Sequence, residues 1–335
     1  MNHTSRLFVA IFFVAGVTVG TTAPVQAGGF YFSTELGMNF GSSMDMTGYS
    51  NDRASVCDGY INPMYATVTS TPGYENYNCT GSDRGATGDW QNSFSSDEGV
   101  LLGTALGYHV GGSPFRIELE YFYRDTDYDQ TSDVGTASGE SGDKLDQELV
   151  RTIDRIGDLS SHNLFANLYY DFSGNSRFTP YVGIGIGLGF TEVEYSSLWA
   201  RNSDAARITT GLDPDGDGPA PPSALPNASE IQANLAGTSS TADAELEDTL
   251  FGYQLLFGVD YALTDTMVLG VKGRWVDFDS LKDGGVVWDP LRGHPPYLRT
   301  PAQAGQGGDR EHVSGGVKLD DIEMFAVSVN LKYGF

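Results

Sequence analysis

Eight stretches of the chain alternate apolar and polar residues with a period of two. The first, near 29–40, puts Phe30, Phe32, Thr34, Leu36, Met38 and Phe40 on one face and Tyr31, Ser33, Glu35, Gly37 and Asn39 on the other. The second, near 99–111, aligns Val100, Leu102, Thr104, Leu106, Tyr108 and Val110. The third sets Phe115, Ile117, Leu119, Tyr121 and Tyr123 against Arg116, Glu118, Glu120, Phe122 and Arg124. The fourth, near 163–172, shows Leu164, Ala166, Leu168, Tyr170 and Phe172 on its apolar side. The fifth opposes Val182, Ile184, Ile186, Leu188 and Phe190 to four glycines, 183, 185, 187 and 189. The sixth, near 250–263, sets Phe251, Tyr253, Leu255, Phe257, Val259 and Tyr261 against Gly252, Gln254, Gly258 and Asp260. The seventh turns Met267, Leu269, Val271 and Trp275 one way and Lys272 and Arg274 the other. The eighth ends the chain, with Phe325, Val327, Val329, Leu331, Tyr333 and Phe335 against Ala326, Ser328, Asn330 and Lys332.

Period-two alternation means strands with one apolar face. Tight turns at Gly111-Gly112-Ser113-Pro114, Ser173-Gly174-Asn175-Ser176 and Thr264-Asp265-Thr266 join strands two to three, four to five and six to seven. The remaining connections are long, near 41–98, 125–160, 192–248 and 280–320. Short and long connections in strict alternation are those of a transmembrane barrel, with periplasmic turns and extracellular loops. A soluble β-sandwich also alternates, but a sandwich edge is normally blunted, whereas aromatic and aliphatic residues here run to the final Phe335. The expected fold is all-β: an eight-stranded antiparallel up-and-down transmembrane β-barrel, its even strand count leaving both termini on the periplasmic side.

Segment 1–27 reads differently. Arg6, an apolar run over 7–19 and a closing Val25-Gln26-Ala27 form the three regions of a secretory signal peptide. The run is too short to span a bilayer as a helix, which takes about 20 residues. Cleavage after Ala27 would leave a mature barrel domain over 28–335. Export makes Cys57 and Cys79 a disulfide pair, since two ligands are too few for structural zinc. The chain carries 19 Lys+Arg against 44 Asp+Glu, a formal net charge of −25. That excess excludes nucleic acid as a partner, because phosphate contacts need clustered cations. The 43 glycines and the 18 tyrosines and 18 phenylalanines suit a Gly- and aromatic-rich β-protein.

The run Asn163-Leu164-Phe165-Ala166-Asn167-Leu168-Tyr169-Tyr170-Asp171-Phe172, followed after a Gly-containing turn by Phe178-Thr179-Pro180-Tyr181-Val182-Gly183-Ile184-Gly185-Ile186-Gly187, resembles the eight-stranded opacity and surface-antigen family of the OmpA/OmpX-like barrel class. The terminal Asn330-Leu331-Lys332-Tyr333-Gly334-Phe335 is similar to the C-terminal signal read by the barrel-assembly machinery, with Tyr333 and Phe335 as its aromatics. The resemblance covers the strands, about half of the mature chain. It implies a bacterial outer-membrane location in a Gram-negative cell and contact with outer-membrane lipid. Function in that family resides mostly in the loops, which match nothing recognisable.

Chemistry could reside in three places. The inward parity collects Glu35, Arg116, Glu118, Glu120, Arg124, Lys272, Arg274 and Lys332. Eight strands enclose an interior that side chains just fill, so these charges must pair; a salt-bridged plug is expected, with an ion path along the charges as the alternative. The strand-five glycines would leave space for long side chains such as Arg274 or Tyr181. Asp213, Asp215 and Asp217 in Asp213-Pro214-Asp215-Gly216-Asp217-Gly218 open like a calcium loop, yet Ala224 stands where the bidentate acid belongs. An acidic turn is the simpler reading, so no cofactor is expected and calcium stays open. Ser160 and His162 share the lipid-facing parity and could form a Ser–His pair for lipid deacylation. His109 falls near the periplasmic end, and His294 and His312 in a Gly/Pro-rich loop. Leu145, Leu149, Ile153 and Ile156 are spaced for a short surface helix, with a strand extension equally consistent. The reading is a non-enzymatic surface protein whose long acidic loops meet a host or environmental ligand, in the manner of an adhesin or surface antigen. A narrow porin-like channel and a lipid-modifying enzyme are the alternatives.

Overall fold

The computed structural model describes residues 29–53, 87–133, 149–172, 174–208, 236–288 and 313–335, with 229, 232 and 233. The signal segment, Cys57, Cys79, the Asp213–Asp215–Asp217 motif, His294 and His312 lie outside the described residues. Twelve strands follow one another: β1 (Phe30–Gly41), β2 (Met44–Arg53), β3 (Thr87–Phe94), β4 (Glu98–His109), β5 (Phe115–Asp133), β6 (Leu149–Asp171), β7 (Phe178–Arg201), β8 (Ser239–Ala262), β9 (Met267–Phe278), β10 (Leu281–Trp288), β11 (Val313–Asp320) and β12 (Glu323–Gly334). Eight of them close a barrel in the order β1-β12-β9-β8-β7-β6-β5-β4. Leu36 of β1 pairs with Val329 on one side and Leu102 on the other, so the ring has no edge.

Side chains alternate around this ring as the period-two pattern requires. Phe32, Leu36, Leu102, Leu119, Leu168, Ile184, Ile186, Leu255, Val271 and Val329 are exposed outward, while their inward-facing neighbours are buried or half-buried. An uninterrupted apolar belt exposed on the outside of a closed barrel is stable only against lipid. At its outer margin the outward side chains change to carboxylates on seven of the eight strands: Glu98, Asp125, Asp158, Glu192, Glu247, Asp277 and Glu323. That switch marks where the bilayer ends.

Two of the expected long loops, near 125–160 and 192–248, start and end as strand. β5, β6, β7 and β8 run far beyond the belt, and the 24 residues of β7 are about twice the 9–11 that a tilted membrane strand needs. The stretches 125–133, 149–160, 192–201 and 239–248 are therefore ladder, not loop. Leu149, Ile153 and Ile156 belong to β6, which settles the helix-or-strand alternative as strand. The other four barrel strands also continue upward, after breaks of two or three residues, as a four-stranded sheet ordered β10-β11-β2-β3. At one break Asp321 takes φ 60°, a left-handed backbone that redirects the chain from β11 into β12. Ser42 Oγ donates to the Asp321 carbonyl at 2.7 Å and ties the adjacent break between β1 and β2 to it.

The short sheet and the extended β5–β8 face one another over a shared apolar core. Met44, Met46, Trp90, Phe94, Val286, Trp288, Val317 and Leu319 come from one side, and Ile156, Leu159, Val193, Tyr195, Ala242 and Leu246 from the other.

Candidate functional site: the barrel interior and its cap

The inward parity of the membrane section is polar, and its charges pair across the lumen. Lys272 Nζ lies 2.9 Å from Glu35 and 2.5 Å from Glu120. Arg274 bridges the same two carboxylates, 2.8 Å from Glu120 and in contact with Glu35. Towards the periplasmic end, Arg116 meets Asp171 at 3.3 Å and Asp260 at 3.2 Å, and Lys332 meets Asp260 at 2.6 Å. Neutral groups take up the remaining valences. Tyr31 and Tyr169 donate to Glu118 at 2.7 and 2.9 Å, Asn167 and Gln254 donate to Glu120, and Ser328 donates to Glu35. Arg116 also stacks between the rings of Tyr169 and Tyr181, 4.4 and 4.5 Å from their centroids. Such buried ions persist only where geometry and extra hydrogen bonds offset desolvation, and both are supplied here.

Seven of the eight residues expected in the plug therefore meet: Glu35, Arg116, Glu118, Glu120, Lys272, Arg274 and Lys332. Arg124 does not. It lies above a layer of Phe122, Phe165 and Phe278, and no ion pair joins it to another described residue. Asp171 and Asp260 were left out of the expected set although their parity is inward; reading parity to the strand ends would have found both. The glycine expectation needs correction as well. A Cβ at Gly183 would strike Tyr169, at Gly187 Phe165 and at Gly189 Asn163 and Phe278. The β7 glycines accommodate side chains of the neighbouring β6 together with Gln254 of β8 and Phe278 of β9, not Arg274, while Tyr181 fills the space left by Gly258.

Above the phenylalanine layer come the buried polar side chains of Asn39, Arg124, Thr126, Ser161 and Thr191, and then the largely apolar core of the cap. A carboxylate is built into that core. Asp154, fully buried, accepts from Trp90 Nε1 at 2.7 Å, Asn92 Nδ2 at 2.6 Å and the Tyr195 hydroxyl at 2.7 Å. It sits beyond the outward-facing Asp158 and so outside the bilayer. Burial pushes its carboxyl above the usual range, and the donated hydrogen bonds pull the other way without cancelling it. Trp90 packs edge-on to Trp199 and Trp288, with centroids 5.3 and 5.8 Å apart.

On the lipid side, His162 is exposed and its Nδ1 lies 2.7 Å from the Tyr121 hydroxyl, while its ring tilts against Tyr123. The structure puts no hydrogen bond between Ser160 and His162; the His162 ring instead meets Tyr121 and Tyr123. His109 sits 3.7 Å from Asp171 at the periplasmic end. Three exposed carboxylates, Glu192, Glu245 and Glu247, converge on the outer wall of β7 and β8, where Glu192 faces Glu247 across the ladder.

Comparison with known proteins gives a family match. A profile of the surface antigen family matches residues 25–203, more than half of the chain. Among curated proteins, none matches the sequence. Similar solved structures include Neisserial surface protein A, at 12% identity over 91% of this chain and 97% of that one with a TM-score of 0.36. The outer membrane protein OprG from Pseudomonas aeruginosa is 13% identical over 92% and 97%, with a TM-score of 0.40. The outer membrane protease OmpT from Escherichia coli is 8% identical over 91% and 97%, with a TM-score of 0.29. With its lipid-facing belt, closed eight-stranded ring and family match, the chain belongs to the surface antigen family and is a bacterial outer-membrane surface protein.

Proposed function

We propose that this protein is a non-conducting, non-enzymatic display scaffold, whose capped barrel holds long acidic loops against a host or environmental ligand. The observation that carries the reading is the filling of the barrel: a transverse ion-pair network in the membrane section, then three packed phenylalanines, then a band of buried polar side chains and the apolar core of the cap. An ion crossing this interior would have to break several buried pairs and then traverse apolar packing. The strand length invested outside the bilayer fits presentation. The absence of a Ser160–His162 bond favours a polar rim over a nucleophile and base, which must be in hydrogen-bond reach.

The test is conductance of the refolded, full-length protein in a planar bilayer. Bilayers that stay silent at voltages where porins conduct support the scaffold. Reproducible unitary steps would replace it with the narrow channel.

A further inference from the structure

Among the described inward cations of the membrane section, Arg124 is the one that the network leaves out. Its side chain is 1% exposed, its Nε and Nη2 are buried without a hydrogen-bond partner, and its guanidinium lies 5.0 Å from the centroid of Phe278. No described carboxylate pairs with it. Among the described inward acids, Asp154 is held in the cap by Trp90, Asn92 and Tyr195, and Glu35, Glu118, Glu120, Asp171 and Asp260 are committed below the Phe122–Phe165–Phe278 layer to Lys272, Arg274, Arg116 and Lys332, or to the tyrosine hydroxyls. A lone buried guanidinium is costly, and an apolar side chain of similar volume would fill the same space without that cost. Its surroundings are also more polar than a packed apolar layer requires. Ser161 stands directly opposite Arg124 in the β5–β6 ladder, with its Oγ 3.1 Å from Thr191 Oγ1 and 3.0 Å from Asn163 Oδ1. Asn39 and Thr126, joined at 2.6 Å, are buried close by on β1 and β5.

From this geometry we infer that the waist of the barrel is a binding site for a small monovalent anion, held by the Arg124 guanidinium with help from the rotatable Ser161 and Thr191 hydroxyls. Size follows from what lies on either side. Leu159, Leu246, Leu250 and Val276 are essentially sealed above, and the phenylalanine layer closes the floor. No room is left for a hydrocarbon tail, which excludes a fatty carboxylate and leaves a halide-sized ion. The anion serves as the missing counter-charge that locks the cap to the membrane section. This role is independent of whether the barrel conducts.

The test uses refolded full-length protein in detergent, with urea unfolding followed in sodium chloride or sodium gluconate at matched ionic strength. For a site present only in the folded state, chloride at ten times its Kd should raise the folded-to-unfolded ratio about tenfold. The native protein should show that gain and Arg124→Met should show none, with Arg124→Lys intermediate. Crystals of the native protein soaked in bromide should give an anomalous peak within hydrogen-bond distance of Arg124, a readout that survives if the variants fail to fold. Equal stability of the native protein in the two salts would overturn the site. So would chloride dependence retained in Arg124→Met, or bromide bound elsewhere and not at the waist.

Discussion

Glu120 and Lys272 meet 2.5 Å apart across the full width of the barrel. Their strands, β5 and β9, are separated by three others in either direction around the ring, so this contact is a diameter, not a ladder neighbour. Arg274 also binds Glu120, and Glu35 binds both Lys272 and Arg274, making a crossbar that no single strand pair could build.

Glu120→Ala should therefore cost more than a surface ion pair would. It leaves Lys272 and Arg274 with Glu35 at close range and Glu118 at 4.0 Å from Lys272, in a closely packed lumen. Removing one partner of a buried pair costs about 3–5 kcal/mol, to be read as a lowered urea midpoint in detergent. A loss under about 1 kcal/mol, the scale of an exposed pair, would mean that water reaches the crossbar freely.

Asp154 gives the cap a pH dependence of known sign. Its folded-state pKa is raised above the ordinary carboxylate value of 3.8, so the folded form holds the proton more tightly than the unfolded one. That contribution is fully present below the ordinary value and is lost as pH rises through the folded-state pKa. Trp90, Trp199 and Trp288 report on the cap by fluorescence. In urea titrations followed this way, the native protein should lose cap stability relative to Asp154→Asn as pH rises through that window. The variant also places an amide among donors and should be weaker overall, so the change in the difference with pH is the diagnostic. A difference that is constant with pH would refute the assignment.

The membrane half of the fold was legible because lipid imposes strict parity. Every residue from Phe325 to Leu331 takes the face its position in the alternation assigns. The cap was not, because above the belt both faces meet water or protein and the outward side turns to Glu192, Glu194, Glu245 and Glu247, which reads as loop. Bulges add to this: the registers slip between Asp127 and Gln130 and between Ile156 and Leu159, breaking the period at the bilayer margin. In the lumen, parity named the inward charges but not who meets whom. Arg124 has the same parity as Arg116, and only height along the strand separates a paired guanidinium from an isolated one.

Asp321 should tolerate glycine but not a β-branched residue. At φ 60° a left-handed conformation costs an ordinary L-residue about 1–2 kcal/mol, with Asp and Asn the usual exceptions. Asp321→Val should lose that amount in urea unfolding of the cap, and Asp321→Gly should be close to neutral. Equal losses in both would place the role of Asp321 in its carboxylate and not in its backbone.

Phe335 should matter more for assembly than for stability. Its backbone N–H donates to the Phe30 carbonyl at 3.0 Å and its ring stacks on Phe30 at 6.4 Å, so it joins the two ends of the ring at the periplasmic margin. The ring is 71% exposed to the lipid side, and burying one Phe against lipid contributes about 1.5–3 kcal/mol. The ladder between β1 and β12 runs from Tyr31 to Gly41 without it. Deleting Phe335 should consequently leave refolding in detergent intact, with a modestly lowered melting point. If the terminal alternation ending in Tyr333 and Phe335 is what the assembly machinery reads, the same deletion should sharply reduce membrane-inserted protein in cells. Equal losses in both settings would make Phe335 an ordinary anchor of the closing strand, and normal insertion in cells would remove the signal role altogether.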